Sequence, residues 1–212
     1  MTQERFNKDV YFLRHGQTDY NKKGIVQGRG VNSDLNAQGM KQAKAFFEMY
    51  EKEGFDLIVS SSLKRTSQSV NPFILSGLDY VQKPEIDEMD WGIHEGKNPD
   101  TGMKEGFESM LEMWRSGDFS ARLEGGESLI DLAHRLSDFI SFLEKSPYSK
   151  ILVASHGRTL MCLMCLLDGQ SLSKMDSYGQ PNMGLNKARF EDGKWSVDFI
   201  GNTTHLKAKQ DV

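Results

Sequence analysis

Cysteine is scarce in this chain of 212 residues: there are two, Cys162 and Cys165. Two cysteines cannot build a disulfide scaffold. Both fall in the apolar run Leu160-Met-Cys-Leu-Met-Cys-Leu-Leu167, spaced C-x-x-C with no second pair. That context predicts core packing rather than redox or zinc chemistry. There is also no apolar run of 18 residues, so no membrane-spanning helix is predicted. The opening residues MTQERFNKDV lack the apolar stretch of a signal peptide, which predicts a cytoplasmic protein. Positive charge is not in excess: 26 Lys and Arg stand against 30 Asp and Glu, a net charge of −4. This predicts neither a nucleic-acid partner nor a membrane partner, though a local basic pocket fits the balance. No H-x-H, H-E-x-x-H or Walker loop occurs, and Gly28-Arg29-Gly30 is only a fragment of a dinucleotide fingerprint. The expectation is therefore no metal and no cofactor. Repeats, low-complexity tracts and linkers are absent, which predicts one domain over residues 1–212 and leaves the oligomeric state open.

What is present is enough apolar material for a core, 38% hydrophobic against 26% charged. Val10-Tyr11-Phe12-Leu13 reads as a short strand ending at Arg14-His15-Gly16. A polar, glycine-rich stretch runs from Gln17 to Asp34. Asn36 can then cap a helix carrying Met40, Ala43, Phe47 and Tyr50 at helical spacing. Leu57-Ile58-Val59 reads as a second buried strand, followed by three serines and a helix from about Leu63 to Leu75. The stretch from about 84 to 126 reads as irregular and lid-like. Gly125-Gly126 is expected to open a helix with Glu127 in its first turn and a core stripe from Leu129 to Leu143. Ile151-Leu152-Val153-Ala154 is a third strand, ending at Ser155-His156-Gly157. Two more strands are expected near 185–190 and 195–200, joined by the turn Glu191-Asp192-Gly193. Strands alternating with helices predict an α/β fold with a mostly parallel sheet.

Three of these strands end in residues capable of chemistry. In open α/β sheets ligands bind beyond the carboxyl ends of the strands. Adjacent parallel strands would bring Arg14, His15, Arg65 and His156 together there. Two arginines offer planar forks of donors that match phosphate oxygens. Histidine can act as nucleophile or proton carrier near neutral pH. A single strand-end Arg or lone buried His would more simply be structural; the pairing of two His-Gly turns, each beside an arginine, points to an anion site. His134, lying off the apolar stripe, reads as solvated, and neither His94 nor His205 is given a catalytic role.

Taken in order, these residues resemble the histidine phosphatase superfamily, the phosphoglycerate-mutase-like group. Leu13-Arg-His-Gly-Gln-Thr18 is similar to its R-H-G-[EQ]-[ST] signature, with Asn21 following. Gln27-Gly28, Leu35 to Gly39, and Ser60-Ser-Ser-Leu-Lys-Arg65-Thr-Ser-Gln68 resemble its next elements. Glu88-Met-Asp-Trp-Gly92-Ile-His-Glu95-Gly96, Gly126-Glu-Ser128, Ser155-His156-Gly157 and Asn202 to Leu206 complete the set.

The resemblance implies a three-layer αβα sandwich in the phosphatase branch, with the 84–126 segment as a small lid. It implies that His15 takes the phosphoryl group, that Arg14, Arg65 and His156 hold the phosphate oxygens, and that Glu88 protonates the leaving alcohol. Asn21, Gln27 and Gly28 would line the substrate side. The expected partner is a small phosphorylated metabolite, hydrolysed without a metal. The alternatives are a bisphosphoglycerate-dependent mutase, whose longer lid with an adjacent Arg pair is not matched by the separated Arg115 and Arg122, and an inactive phosphate-binding scaffold. Two departures fall at the pocket rim. Asn32-Ser-Asp-Leu35 stands where relatives carry D-x-P-L, with one extra residue near Gly30-Val31, and His94 stands where many carry Trp.

Overall fold

The computed structural model describes residues 7–207. Six strands form one mixed sheet: β1 (Lys8–Arg14), β2 (Leu57–Ser60), β3 (Asp79–Gln82), β4 (Lys150–Ser155), β5 (Leu185–Glu191) and β6 (Lys194–Asn202). Their spatial order is β3-β2-β4-β1-β5-β6. The first four run parallel; β5 is antiparallel to β1, and β6 to β5. The buried central strands read LIVS and ILVA because both faces are covered, so no polar alternation survives. Asp192 and Gly193 both take positive φ in the β5–β6 turn, as a twisted two-residue hairpin connection demands.

The helices form two outer layers. On one side lie α2 (Ala37–Tyr50), α3 (Lys64–Leu75) and α7 (Thr204–Lys207). Ala43, Phe46, Val70 and Phe73 from this layer pack on Tyr11, Leu13, Ile58 and Leu152. On the other side lie α4 (Thr101–Ser116), α5 (Leu129–Lys145) and α6 (Gly157–Leu167). Their Trp114, Leu132, Leu136, Leu160 and Leu163 pack on Val10, Phe12, Val59 and Val153. Cys162 and Cys165 are free, buried core residues of α6.

Four details depart from the sequence reading. The 84–126 segment contains the 16-residue helix α4; Gly102 and Gly106 lower its propensity, yet Met110, Leu111 and Trp114 supply a buried face. The edge strand β3 escapes prediction because its side chains are mostly exposed, so burial imposes little pattern. The polar stretch after β1 holds a short helix, α1 (Asp19–Lys23), closed by a capping box between Thr18 and Asn21. Finally, α5 is capped by Ser128 with Asp131 in its first turn. Glu127 lies outside the helix, where it pairs with Arg135 at 2.7 Å.

Strands β1 and β4 are neighbours, paired in register from Asp9–Lys150 to Arg14–Ser155. The chain leaves β1 toward the α2 layer and leaves β4 into α6 on the opposite layer. Adjacent parallel strands whose following helices lie on opposite faces open a crevice at their carboxyl ends.

Candidate active site

His15 follows β1 directly, and His156 follows β4. Their ring centroids lie 5.2 Å apart, and both side chains are almost completely buried. The Nδ1–H of His15 donates to the carbonyl oxygen of Gly16 at 2.7 Å. A carbonyl can only accept, so this bond fixes the proton on Nδ1 and leaves the Nε2 lone pair free. The Nδ2 of Asn182 donates to the His15 carbonyl at 3.0 Å and pins the turn. Burial first, then the charges of Arg65 and Arg14, push the His15 pKa well below 6.5; the Gly16 bond opposes them weakly. The imidazole is therefore neutral at ordinary pH, the form a nucleophile needs.

Arg65 comes from the first turn of α3 and is fully buried. Its Nε donates to Nδ1 of His156 at 3.1 Å. Guanidinium can only donate, so Nδ1 of His156 accepts. The His156 proton then sits on Nε2, which donates to Ser61 Oγ at 2.7 Å. Burial, followed by the Arg65 charge, pushes the His156 pKa well down. Arg65 Nη1 and Nη2 donate to the carbonyls of Val31 (2.5 Å) and Gly28 (3.2 Å). The extra residue near Gly30-Val31 thus belongs to a loop that turns two carbonyls onto this arginine. Burial lowers the Arg65 pKa to about 10, against the pull of Glu88 and Asp87; it stays charged at neutral pH.

Arg14 Nη1 donates to the Gln180 carbonyl at 2.6 Å. Its Nε is buried with no partner among the described residues. A buried unpaired donor costs roughly 1–3 kcal/mol, which an anion accepting from it would recover.

Glu88 sits at the amino end of α6 and is 7% exposed. His156, the N-cap of that helix, makes no side-chain cap bond. The Glu88 carboxylate caps the helix instead. Its Oε1 accepts from the backbone N–H of Thr159 (3.1 Å) and Met89 (2.9 Å) and from Thr159 Oγ1 (3.0 Å). Oε2 accepts from the Arg158 N–H at 3.3 Å. Arg135 fixes the segment below by donating to the carbonyls of Glu85 (2.6 Å) and Glu88 (3.3 Å).

The remaining expected residues lie one layer out. Asn21 Oδ1 accepts from Thr18 and from Asn182 Nδ2 at 3.3 Å, linking it to the His15 turn. Gln27 bonds Thr18 Oγ1 at 3.2 Å and also Ser33. Gly28 passes so close to Glu95 that a Cβ there would lie 1.9 Å from Oε1, so no larger residue fits without displacing that side chain. His94 lines a small, mainly apolar cavity with Val26, Met103, Phe107 and Leu123. His134 is exposed and His205 buried, both away from this site.

Sequence reasoning missed four contributors. Ser61 lies inside the serine run that follows β2, and Thr159 stands three residues past His156, so proximity to a motif was an available signal. Asn182 and the Gln180 carbonyl come from an irregular loop with no such signal. Among the described residues, no group of three His, Cys, Asp or Glu side chains converges as a metal-binding cluster.

The profile of the histidine phosphatase superfamily (branch 1) matches residues 10–203. The chain is 30% identical over 203 residues to "Putative phosphoserine phosphatase 2" of Hydrogenobacter thermophilus, covering 94% of this chain and 98% of the relative. It is also 30% identical over 208 residues to "Probable phosphoglycerate mutase GpmB" of Yersinia pestis, covering 93% and 94%. The solved alpha-ribazole phosphatase of Shigella flexneri shares the fold with a TM-score of 0.79 at 24% identity, covering 92% of this chain and 96% of that one. With a match over nearly its whole length, this chain belongs to the histidine phosphatase superfamily.

Proposed function

We propose that the chain hydrolyses small phosphomonoesters through a phosphohistidine on His15. The chain is a small-metabolite phosphatase. The observation that carries the mechanism is the His15 ring. It is neutral, its Nδ1–H is committed to Gly16, and the charges of Arg65 and Arg14 act on the ring.

The reaction runs in two displacements. Substrate phosphate sits against Arg14 and Arg65, whose guanidinium charges meet the spread negative charge of the transferring group. His156, its one N–H committed to Ser61, accepts from Arg65 Nε and holds that arginine in place. His15 Nε2 forms a bond to phosphorus as the ester P–O bond breaks. The leaving oxygen takes a proton from Glu88. The positive charge that develops on the imidazole is steadied through Nδ1–H by the Gly16 carbonyl. Water then attacks phosphorus, the N–P bond breaks, and the Glu88 carboxylate takes up the water proton. Inorganic phosphate leaves and every group returns to its starting state. Asn21, Gln27 and Gly28 shape the substrate side, and the 84–126 segment acts as the lid.

Hydrolysis is favoured over phosphoglycerate transfer by where the lid arginines go. Arg115 pairs with Asp176 at 2.9 Å and with Glu112 at 3.4 Å, and Arg122 pairs with Asp131 at 3.3 Å. They turn to different carboxylates and do not form the adjacent pair that a second phosphate would need. The test is release of inorganic phosphate from a panel of phosphorylated metabolites and from p-nitrophenyl phosphate. Quenched turnover should trap an acid-labile, alkali-stable adduct. Exchange between phosphoglycerate isomers without phosphate release would establish the mutase instead, and binding without turnover would establish the scaffold.

A further inference from the structure

Strand β3 ends the sheet, with β2 on one side and no strand on the other among the described residues. Asp79, Val81 and Gln82 are exposed. Lys83, the next residue, turns its N–H to the Ser60 carbonyl of β2 at 2.8 Å. Backbone groups alternate sides along a strand. The N–H and C=O of Asp79 and Val81 therefore also turn toward β2, and those of Tyr80 and Gln82 turn outward. Side chains alternate between the two faces. Asp79 accepts from the Tyr148 hydroxyl at 2.5 Å, and the Lys83 ammonium lies 4.1 Å from the centre of the Phe142 ring. Asp79, Val81 and Lys83 thus share the face toward α5. There Val81 borders a groove of about 570 Å³ with Phe142, Pro147 and Tyr148. Tyr80 packs into the opposite layer.

An exposed edge strand is a template for the edge of another chain. This edge is complementary to itself. Laid antiparallel about a two-fold axis at Val81, Tyr80 faces the partner's Gln82 and Gln82 faces the partner's Tyr80. All of these are outward-turned residues, so each pair exchanges two backbone hydrogen bonds. Val81 meets the partner's Val81, and Asp79 meets the partner's Lys83. These are non-hydrogen-bonded pairs, in which side chains approach more closely and opposite charges attract. The axis repeats the Asp79–Lys83 attraction. Sliding one strand by two residues undoes the match. In one direction Asp79 meets the partner's Glu85, a like charge, and Tyr80 meets the partner's Pro84, which has no N–H. In the other, Asp79 meets the partner's Val81 and loses its counter-ion. We propose that β3 is the interface of a homodimer of this chain, paired antiparallel through Tyr80 and Gln82 about an axis at Val81. The pairing joins two six-stranded sheets into one.

The test reads oligomeric state by sedimentation, with circular dichroism as the check on folding. The wild type should pass from monomer to dimer as its concentration rises toward millimolar. Gln82→Pro deletes an N–H that points away from β2, so the chain keeps its own ladder. It should remain a monomer throughout. Should Gln82→Pro fail to fold, Val81→Lys, which sets like charges opposite each other at the axis, must be monomeric in its place. Lys83→Asp turns the repeated attraction into repulsion and should weaken the dimer about tenfold. Adding Asp79→Lys should restore it. Non-hydrogen-bonded partners have Cα atoms about 4.5 Å apart, within reach of a disulfide. Val81→Cys should therefore crosslink across the axis under mild oxidation, while the native cysteines stay buried. Ile130→Cys should not; Ile130 is 54% exposed, at the far end of α5 from the groove-lining Lys145.

A wild type that stays monomeric at every concentration would overturn the proposal. So would a dimer that survives Gln82→Pro or Val81→Lys, since its interface would lie elsewhere. A dimer indifferent to Lys83→Asp would overturn the register. Crosslinking of Ile130→Cys as readily as of Val81→Cys would show chance collision rather than pairing at β3.

Discussion

His15 and His156 lie at the carboxyl ends of β1 and β4, among arginines. His205 lies away from them in α7, edge-on to Phe46 at 5.2 Å and to Tyr50 at 6.1 Å. All three are nearly fully buried. Burial is the largest cause holding each neutral, and it lowers the pKa of His205 to about 4 with no charged group contributing. The two regions differ in what faces the ring. Among the described residues neither nitrogen of His205 has a partner, and the rings of Phe46 and Tyr50 flank it. His15 has one nitrogen assigned by Gly16, and the charges of Arg65 and Arg14 act on its ring. Neutrality alone, then, makes a histidine inert filling; a fixed tautomer next to preorganised positive charge makes it a candidate nucleophile.

Deleting each ring in turn separates the two roles. His15→Ala should lower turnover by on the order of 10⁴ to 10⁶, as loss of a catalytic nucleophile does in other enzymes. It should also abolish the trapped phosphoryl adduct. His205→Ala should leave kcat and the adduct near wild-type levels in the folded fraction, and lose thermal stability through the gap it opens beside Phe46. An adduct that persists in His15→Ala, or turnover that collapses equally in both variants, would show that the reactive group lies elsewhere.

A second difference concerns acid. A histidine neutral in the native state binds fewer protons there than in the unfolded chain. Stability is therefore full above the unfolded pKa near 6.5 and falls as pH drops from 6.5 toward the native value. For His205, with a native pKa of about 4, the loss between pH 6.5 and pH 5 is roughly 2 kcal/mol. His15 and His156 act in the same direction. His205→Phe suits the flanking aromatic rings and removes one of these titrations. Its unfolding free energy should fall less between pH 7 and pH 5 than that of the wild type, by about that amount, whatever its stability at pH 7. Denaturant melts at the two pH values measure this, and parallel losses in both proteins would mean that His205 is protonated without penalty in the native state.

The sequence made the two regions unequally legible. Arg14, His15, Arg65 and His156 were readable because each follows or closely trails a short apolar run, and parallel strands have few ways to arrange their carboxyl ends. Their convergence is a consequence of topology. The role of Glu88 as cap of α6 was not readable, because the bond joins residues 88 and 159, far apart in sequence. Asn182, which pins the His15 turn, sits in a loop with no periodicity. Helix α4 was obscured by its glycines and by exposed polar faces, although its buried Met110, Leu111 and Trp114 recur at helical spacing. His205 could be seen as a residue but not as a buried one, since nothing local announces that α7 folds back on α2.

The two regions also differ in charge. In many phosphoryl-transfer sites Mg²⁺ neutralises the transferring group and bridges its oxygens. Here that charge is proposed to come from the chain. Arg65 is held by three acceptors around a fixed position, and Arg14 keeps a buried Nε without a partner among the described residues, a donor suited to an anion rather than a cation. A divalent ion entering between the two guanidinium groups would meet repulsion from both. Exhaustive chelation followed by dialysis should therefore leave kcat and KM on p-nitrophenyl phosphate unchanged within error, and adding back Mg²⁺, Mn²⁺ or Zn²⁺ should not raise them. A rate lost on chelation and restored by one of these metals alone would mean that the arginines do not suffice. The aromatic surroundings of His205 and the phosphate pocket would then differ by an ion as well as by their side chains.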